Sequence, residues 1–124
     1  MIINSVITGG STGKVEGTAT ITKGSSKTFT RYDGATSNAN YVTVNHAFGF
    51  VPSLIIVTLT LADTSDITTI YKKDSWTTDI KNLIKVGDDY YFRLSGNARV
   101  NENGFQLPFH YFDGNATAKW VAYA

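Results

Sequence analysis

Residues 116–124 read "ATAKWVAYA". Read with the two-residue period of a strand, Ala116, Ala118, Trp120, Ala122 and Ala124 share one face, and Thr117, Lys119, Val121 and Tyr123 share the other. A tryptophan with alanines two positions away on each side suits a core site where the ring lies across small neighbours. Chain ends are commonly polar and frayed. This one ends on a strand pattern, so the segment is expected to lie inside a sheet. Val121 and Tyr123 on the second face then call for a second layer or another subunit.

The rest of the chain agrees with a β reading. Its 124 residues include 17 threonines, 7 tyrosines, 7 phenylalanines and 11 glycines, against 2 glutamates, 1 glutamine, 1 methionine and 6 leucines. β-Branched and aromatic residues fit a pleated, half-buried surface, and the scarce types are the good helix formers. Strand signals recur at short spacing with turn residues between them, which is the pattern of a sandwich or barrel. "KVEGTATIT" (14–22) sets Val15, Ala19 and Ile21 on one face. "KTFTRY" (27–32) follows a "KGSSK" turn, and "YDGATSNAN" (32–40) reads as a polar loop. In "YVTVNHAF" (41–48), Val42, Val44, His46 and Phe48 share a face, which makes His46 a core or interface histidine.

"LIIVTLTL" (54–61) is the most apolar stretch and is expected at the centre of a sheet, covered on both sides. "DITTIYKK" (66–73) is its hairpin partner across "ADTSD". "DSWTTDIKNLIKVGDD" (74–89) is ambiguous: Trp76, Ile80, Leu83 and Ile84 have near-helical spacing, while "NLIKV" also reads as a strand. "YYFRLS" (90–95) and "GFQLPF" (104–109) complete the set, with turns at 95–97, 102–104 and 112–115. The prediction is all-β: a single antiparallel β-sandwich over 1–124, jelly-roll-like or lectin-like, with 1–13 as an arm or a first short strand. The expected core is Val42, Val44, Phe48, Ile55, Val57, Phe92, Leu94 and Trp120.

Eleven basic residues stand against ten acidic ones, which argues against a nucleic-acid or anionic-membrane surface built on bulk charge. No cysteine is present, so disulfides and thiolate metal sites are excluded. No stretch approaches the ~20 apolar residues of a membrane span. The opening "MIINSVITGG" lacks a basic start and a long apolar run, so no secretory leader is expected. "GGSTGK" (9–14) fails as a phosphate loop: the required first glycine falls on Thr8, and Val15 replaces the hydroxyl that binds Mg²⁺. His110 near Asp113 lacks a serine nucleophile in an elbow motif. Asp63/Asp66 and Asp88/Asp89 lack the spacing of a calcium loop and read as solvated carboxylates. "NAT" (115–117) matches a glycosylation acceptor but falls inside an expected strand. No cofactor, metal or catalytic residue is expected.

The aromatic residues carry the functional signal. Trp76, Tyr32, Tyr41, Tyr90, Tyr91 and Tyr111 fall in or beside polar, turn-rich segments. An exposed aromatic ring stacks on the apolar face of a sugar, while nearby Asn and Asp take its hydroxyls. The competing reading is that tyrosine and tryptophan are ordinary strand residues with their polar tips in water.

Three stretches, "YVTVNHAFGFVPSLIIVT", "FRLSGNARVNENGFQLPF" and "ATAKWVAYA", carry a resemblance over residues 40–124. The chain resembles small β-rich domains at the C-terminal ends of tail and tail-fibre proteins of bacteriophages and prophages, chiefly those of Gram-positive hosts. The shared features are a G-F-x-P turn (Gly49, Phe50, Pro52), a "GF-x-L" strand (Gly104, Phe105, Leu107) and a closing "W-x-A-Y" strand (Trp120, Ala122, Tyr123). These are turn and core residues, more specific for fold than for function. The resemblance implies a virion location at a tail tip or fibre, extracellular after host lysis, other tail proteins as partners, and a homotrimer. It implies recognition of host cell-wall glycan, or else a structural adaptor or trimeric cap without a ligand. It brings no catalytic residues; a small glycan hydrolase is the weakest reading.

Overall fold

A computed structural model describes residues 13–61, 66–74, 82–88, 90–110 and 114–124. Ten strands run in chain order: β1 (Lys14–Ile21), β2 (Lys27–Thr30), β3 (Thr36–Asn45), β4 (Leu54–Thr60), β5 (Asp66–Lys72), β6 (Leu83–Val86), β7 (Tyr90–Arg93), β8 (Arg99–Asn101), β9 (Gly104–Phe109) and β10 (Ala116–Tyr123). They form a six-stranded sheet, β1-β10-β4-β5-β6-β7, and a four-stranded sheet, β2-β3-β9-β8, with every pairing antiparallel. The two sheets pack face to face as a β-sandwich.

The last strand is an interior strand, hydrogen-bonded to β1 on one side and β4 on the other. Alternation sends Ala118, Trp120 and Ala122 into the core. Trp120 lies in register with Gly17 on β1 and Val57 on β4. Its indole covers Gly17 so closely that a Cβ built there would sit 2.8 Å from the ring. Phe48 and Phe105 meet the indole edge-on, each at 5.7 Å between centroids. Its Nε1 is buried with no hydrogen-bond acceptor among the described residues. The unpaired donor costs on the order of 1–3 kcal/mol, which the burial of so large a ring offsets. Backbone and side-chain bonds fasten the end: Ala124 N donates to Gly13 O at 2.7 Å, and Ser53 Oγ donates to Ala124 O at 2.7 Å.

The rows of the core follow the register. Val15, Ala122, Ile55, Tyr71, Ile84 and Phe92 align across all six strands of the larger sheet. From the other sheet Val42, Val44, Phe105, Leu107 and Phe109 meet them. Thr69 is fully buried, and its hydroxyl donates to the Pro108 carbonyl at 2.8 Å, tying the two sheets across the core. At one side the sheets touch through their backbones: Arg31 bridges Phe92, and Tyr32 N donates to Tyr91 O at 3.0 Å.

Several expectations need adjustment. Residues 36–40 are not loop but the first half of β3, paired with β2 through Ala39 and with β9 from Asn40. β3 ends at Asn45, so His46 is exposed rather than buried. Its ring still lies 5.4 Å from Phe48 and 6.0 Å from Trp120. Leu94 is half-buried, and the other seven expected core residues are buried. "LIKV" is a strand. Trp76 and Ile80, which suggested a helix, lie outside the described residues, as do 1–12 and 62–65.

The residues of the G-F-x-P and GF-x-L motifs have structural duties. Gly49 adopts φ 81° in the turn, and Phe50 stacks on Phe48 at 6.0 Å. Pro52 is buried at the entry to β4. Gly104 closes the β8–β9 hairpin at φ 141°, where a Cβ would overlap the Val44 carbonyl oxygen.

Two outcomes follow from this packing. Alanine in a strand is ordinarily better than glycine by ~0.5–1 kcal/mol. Gly17→Ala is expected to reverse that sign and cost ~1–3 kcal/mol in denaturant unfolding, because the indole must move. Deleting Lys119–Ala124 is expected to abolish cooperative unfolding, since it removes a central strand and a buried tryptophan worth ~3–5 kcal/mol; an unchanged melting temperature would contradict the packing described.

Tyr71 generates a third outcome. Burial, reinforced by the Asp74 carboxylate, raises its phenol above the ordinary 10.0, and its hydroxyl donates to Asn82 Oδ1 at 3.3 Å. The folded state therefore holds this proton more tightly than the unfolded one. The stability it contributes is complete below about pH 10 and is lost as pH rises above that. Wild type is expected to lose more stability than Tyr71→Phe on going above pH 10, measured by urea unfolding; equal losses would contradict it.

Candidate functional site, an inter-sheet cleft

Beside the bridged corner the two sheets diverge and leave a cleft of about 610 Å³. Its floor is Val86, Phe92 and Phe109, all buried. Val86 and Phe92 belong to the inward rows of β6 and β7, and Phe109 to the inward row of β9. Their side chains therefore converge where no further strand covers them. The rim comes from two polar segments that β2–β3 pairing brings together: Lys23, Gly24, Ser25 and Ser26 before β2, and Ser37, Asn38, Ala39 and Asn40 on β3. Tyr90 and His110 complete it.

Tyr90 is 49% exposed although its register partner is the buried Val86. The strand aims it inward, but it stands at the open margin, so one end of the ring meets water. The Arg31 guanidinium lies 5.9 Å from the ring centroid. Phe29 packs edge-on to Phe92 at 6.2 Å and steadies the floor. Asn40 is 8% exposed and faces the same side as Val42 and Val44, an amide set into an apolar surface. The Asn38 carboxamide oxygen accepts from the Thr28 hydroxyl at 2.7 Å, which fixes its orientation. The Asn115 side chain accepts from Lys23 N at 2.8 Å and anchors the 23–26 segment to the start of β10. The described lining thus offers hydroxyls, amides, one ammonium and one imidazole over an apolar base. It holds no carboxylate among the described residues. That arrangement suits a hydroxyl-rich ligand with an apolar face.

Of the six aromatic residues singled out by the sequence, Tyr90 lines the cleft. Tyr32 and Tyr91 sit nearby as an edge-on pair, 6.3 Å apart at 80°. The Arg93 guanidinium donates twice to the Tyr32 carbonyl, at 3.0 and 2.7 Å, and holds that pair. Tyr32 is 48% exposed and extends the aromatic surface around the corner. Tyr41 belongs elsewhere, on the outer face of the four-stranded sheet. Lys27 Nζ sits 4.8 Å over its ring and also donates to Gln106 Oε1 at 3.1 Å. Gln106, nearly buried, also bonds Thr43 and Asn97, so Tyr41 stands in a hydrogen-bonded cluster outside the cleft. Trp76 and Tyr111 lie outside the described residues.

Lys23, Ser25, Ser26, Ser37, Asn38 and Asn40 did not stand out in the sequence, and His110 did so only as a neighbour of Asp113. The available signal was the repetition of small polar residues in two segments, "KGSS" and "SNAN", which reads as turn chemistry until strand pairing places them side by side. Asp66 among the acidic candidates accepts from the Thr60 hydroxyl at 2.8 Å. Gly13-Lys14 enters a strand directly, without the helix that a phosphate loop requires.

Comparison of the chain with protein-family models, with curated proteins and with solved structures finds no match.

Proposed function

We propose that the chain is a non-catalytic saccharide-binding module of a bacteriophage or prophage tail, acting as a homotrimer in recognition of the host cell wall. The cleft carries the binding part of the reading: an apolar base, a half-exposed Tyr90 at its margin and a rim of serine and asparagine side chains. A pyranose has the complementary surface, with an apolar ring face and equatorial hydroxyls. The tail assignment rests on the resemblance of the Gly49-Phe50-Pro52, Gly104-Phe105-Leu107 and Trp120-Ala122-Tyr123 motifs. Those residues serve turns and core, so they support a shared architecture and leave ligand choice to the cleft.

Glycoside hydrolysis requires a pair of carboxyl groups about 5–9.5 Å apart. The described lining offers no such pair. A structural cap without ligand is the alternative, and binding measurements separate the two.

Binding of the full chain to purified Gram-positive wall polysaccharide or teichoic acid is expected to be weak per site and raised by avidity among copies. It is expected to be unaffected by chelation of calcium. Tyr90→Ala should weaken it about tenfold, a loss of roughly 1.4 kcal/mol, whereas Tyr41→Ala should leave it unchanged. Absence of binding under conditions where whole particles adsorb would favour the structural-cap alternative.

A further inference from the structure

Two arginines stand at the corner where the cleft opens, and their side chains are engaged differently. Arg93 turns its guanidinium to the chain itself, donating twice to the Tyr32 carbonyl. Arg31 has its backbone fixed instead. Its N–H donates to Ala35 O at 2.7 Å, its carbonyl accepts from Gly34 N at 2.9 Å, and the residue bridges Phe92 on β7. Its guanidinium lies 5.9 Å from the ring centroid of Tyr90, the tyrosine on the cleft margin. Among the described residues no carboxylate pairs with it. Asp33, the acid nearest in sequence, accepts from Ala35 N at 3.0 Å, and Asp88 in the β6–β7 turn does not line the cleft. A guanidinium is drawn to an aromatic face by its charge, and that contact leaves the N–H donors in its plane for another partner. Those donors form a planar fork that matches two oxygens of a carboxylate or a phosphate. Lys23 stands on the same rim. The chain as a whole is nearly neutral, with 11 basic residues against 10 acidic, so the surplus of positive charge is local to this corner.

We infer that the cleft takes a sugar carrying an oxyanion, a carboxylate or a phosphate, and that Arg31 reads that group while Tyr90 carries the sugar ring. The inference rests on the saccharide reading above and narrows it: the ligand is selected by its charge as well as by its hydroxyls. Tyr90 is shared by the cleft and by Arg31, so a sugar seated against its ring comes next to the guanidinium. The 31–35 turn holds the Arg31 backbone and the ring supports its side chain. Little conformational freedom then remains to be lost when the anion docks.

Glucose, glucuronate and glucose phosphorylated on its primary hydroxyl differ at one carbon. Titrating each into the full chain, with amide chemical shifts as the readout, tests the inference. Both anions are expected to bind about tenfold more tightly than glucose, as a charge-assisted pair requires. The tighter of the two identifies the group. Arg31→Gln should keep the wild-type melting temperature and abolish the preference, with all three sugars then binding within about twofold of glucose on wild type. Arg31→Lys should retain part of the preference, since it keeps the charge and loses the fork. Equal affinity of wild type for the three sugars would overturn the inference and leave the saccharide reading standing. A preference for the anions that survives Arg31→Gln would overturn the role of Arg31. Absence of binding by either anion at tens of millimolar would overturn it too, and the saccharide reading is then judged by wall-polymer binding alone.

Discussion

The indole of Trp120 lying over Gly17 is the contact from which the architecture is built. It requires a strand whose inward neighbours are alanines, a facing strand with a glycine at one position, and an aromatic wall of Phe48 and Phe105 behind it. These requirements come from four separate parts of the chain. β10 satisfies them only as an interior strand between β1 and β4, so the two ends of the described chain must pair before the larger sheet is complete. Such non-local pairing is slow to form because loop closure precedes the contacts that reward it. The sheet therefore has little structure that could persist without its last strand.

The cleft is the counterpart of that dense centre. Near Trp120 the two sheets are filled by rings. Near the β2–β7 corner they are pinned by the Arg31–Phe92 bridge and the Tyr32–Tyr91 backbone bond, and next to the pin they separate. Side chains on the inward rows of β6, β7 and β9 are apolar because the register puts them there. At the sandwich margin the same rows meet the polar 23–26 and 37–40 segments. A cleft with an apolar base and a polar rim is a direct result of a sheet register running out past the end of its partner.

Much of the fold was legible because period-two alternation is a strong signal where one face is buried. The inward set of β10, the hairpin of β4 with β5, and the core positions of Val42, Val44, Ile55, Val57 and Phe92 follow from it. It failed where polar residues line a cleft instead of meeting bulk water: "TSNAN" carries turn residues, yet its backbone pairs with β2 through Ala39 and with β9 from Asn40. It also failed at His46, where alternation was carried past the end of β3. There the chain leaves the strand, and the amides of His46 and Phe48 donate to the carbonyls of Asn103 and Glu102. Tyr90, now at the cleft margin, stood out because aromatics beside turns are visible in a sequence. Asn40 did not stand out, because its place in the cleft depends on which distant strand stands next to it. Of the outer face, Val121 and Tyr123 stood out in the sequence.

The central claim is that the inter-sheet cleft is where a saccharide binds. Amide chemical shifts, followed by NMR during titration with fragments of host wall polysaccharide, test it residue by residue. The account predicts that the largest shifts cluster at Ser25, Ser26, Asn38, Asn40, Tyr90 and His110, with Tyr41 and Gln106 unmoved. Shifts confined to the outer face of either sheet, or none at saturating glycan, would contradict it.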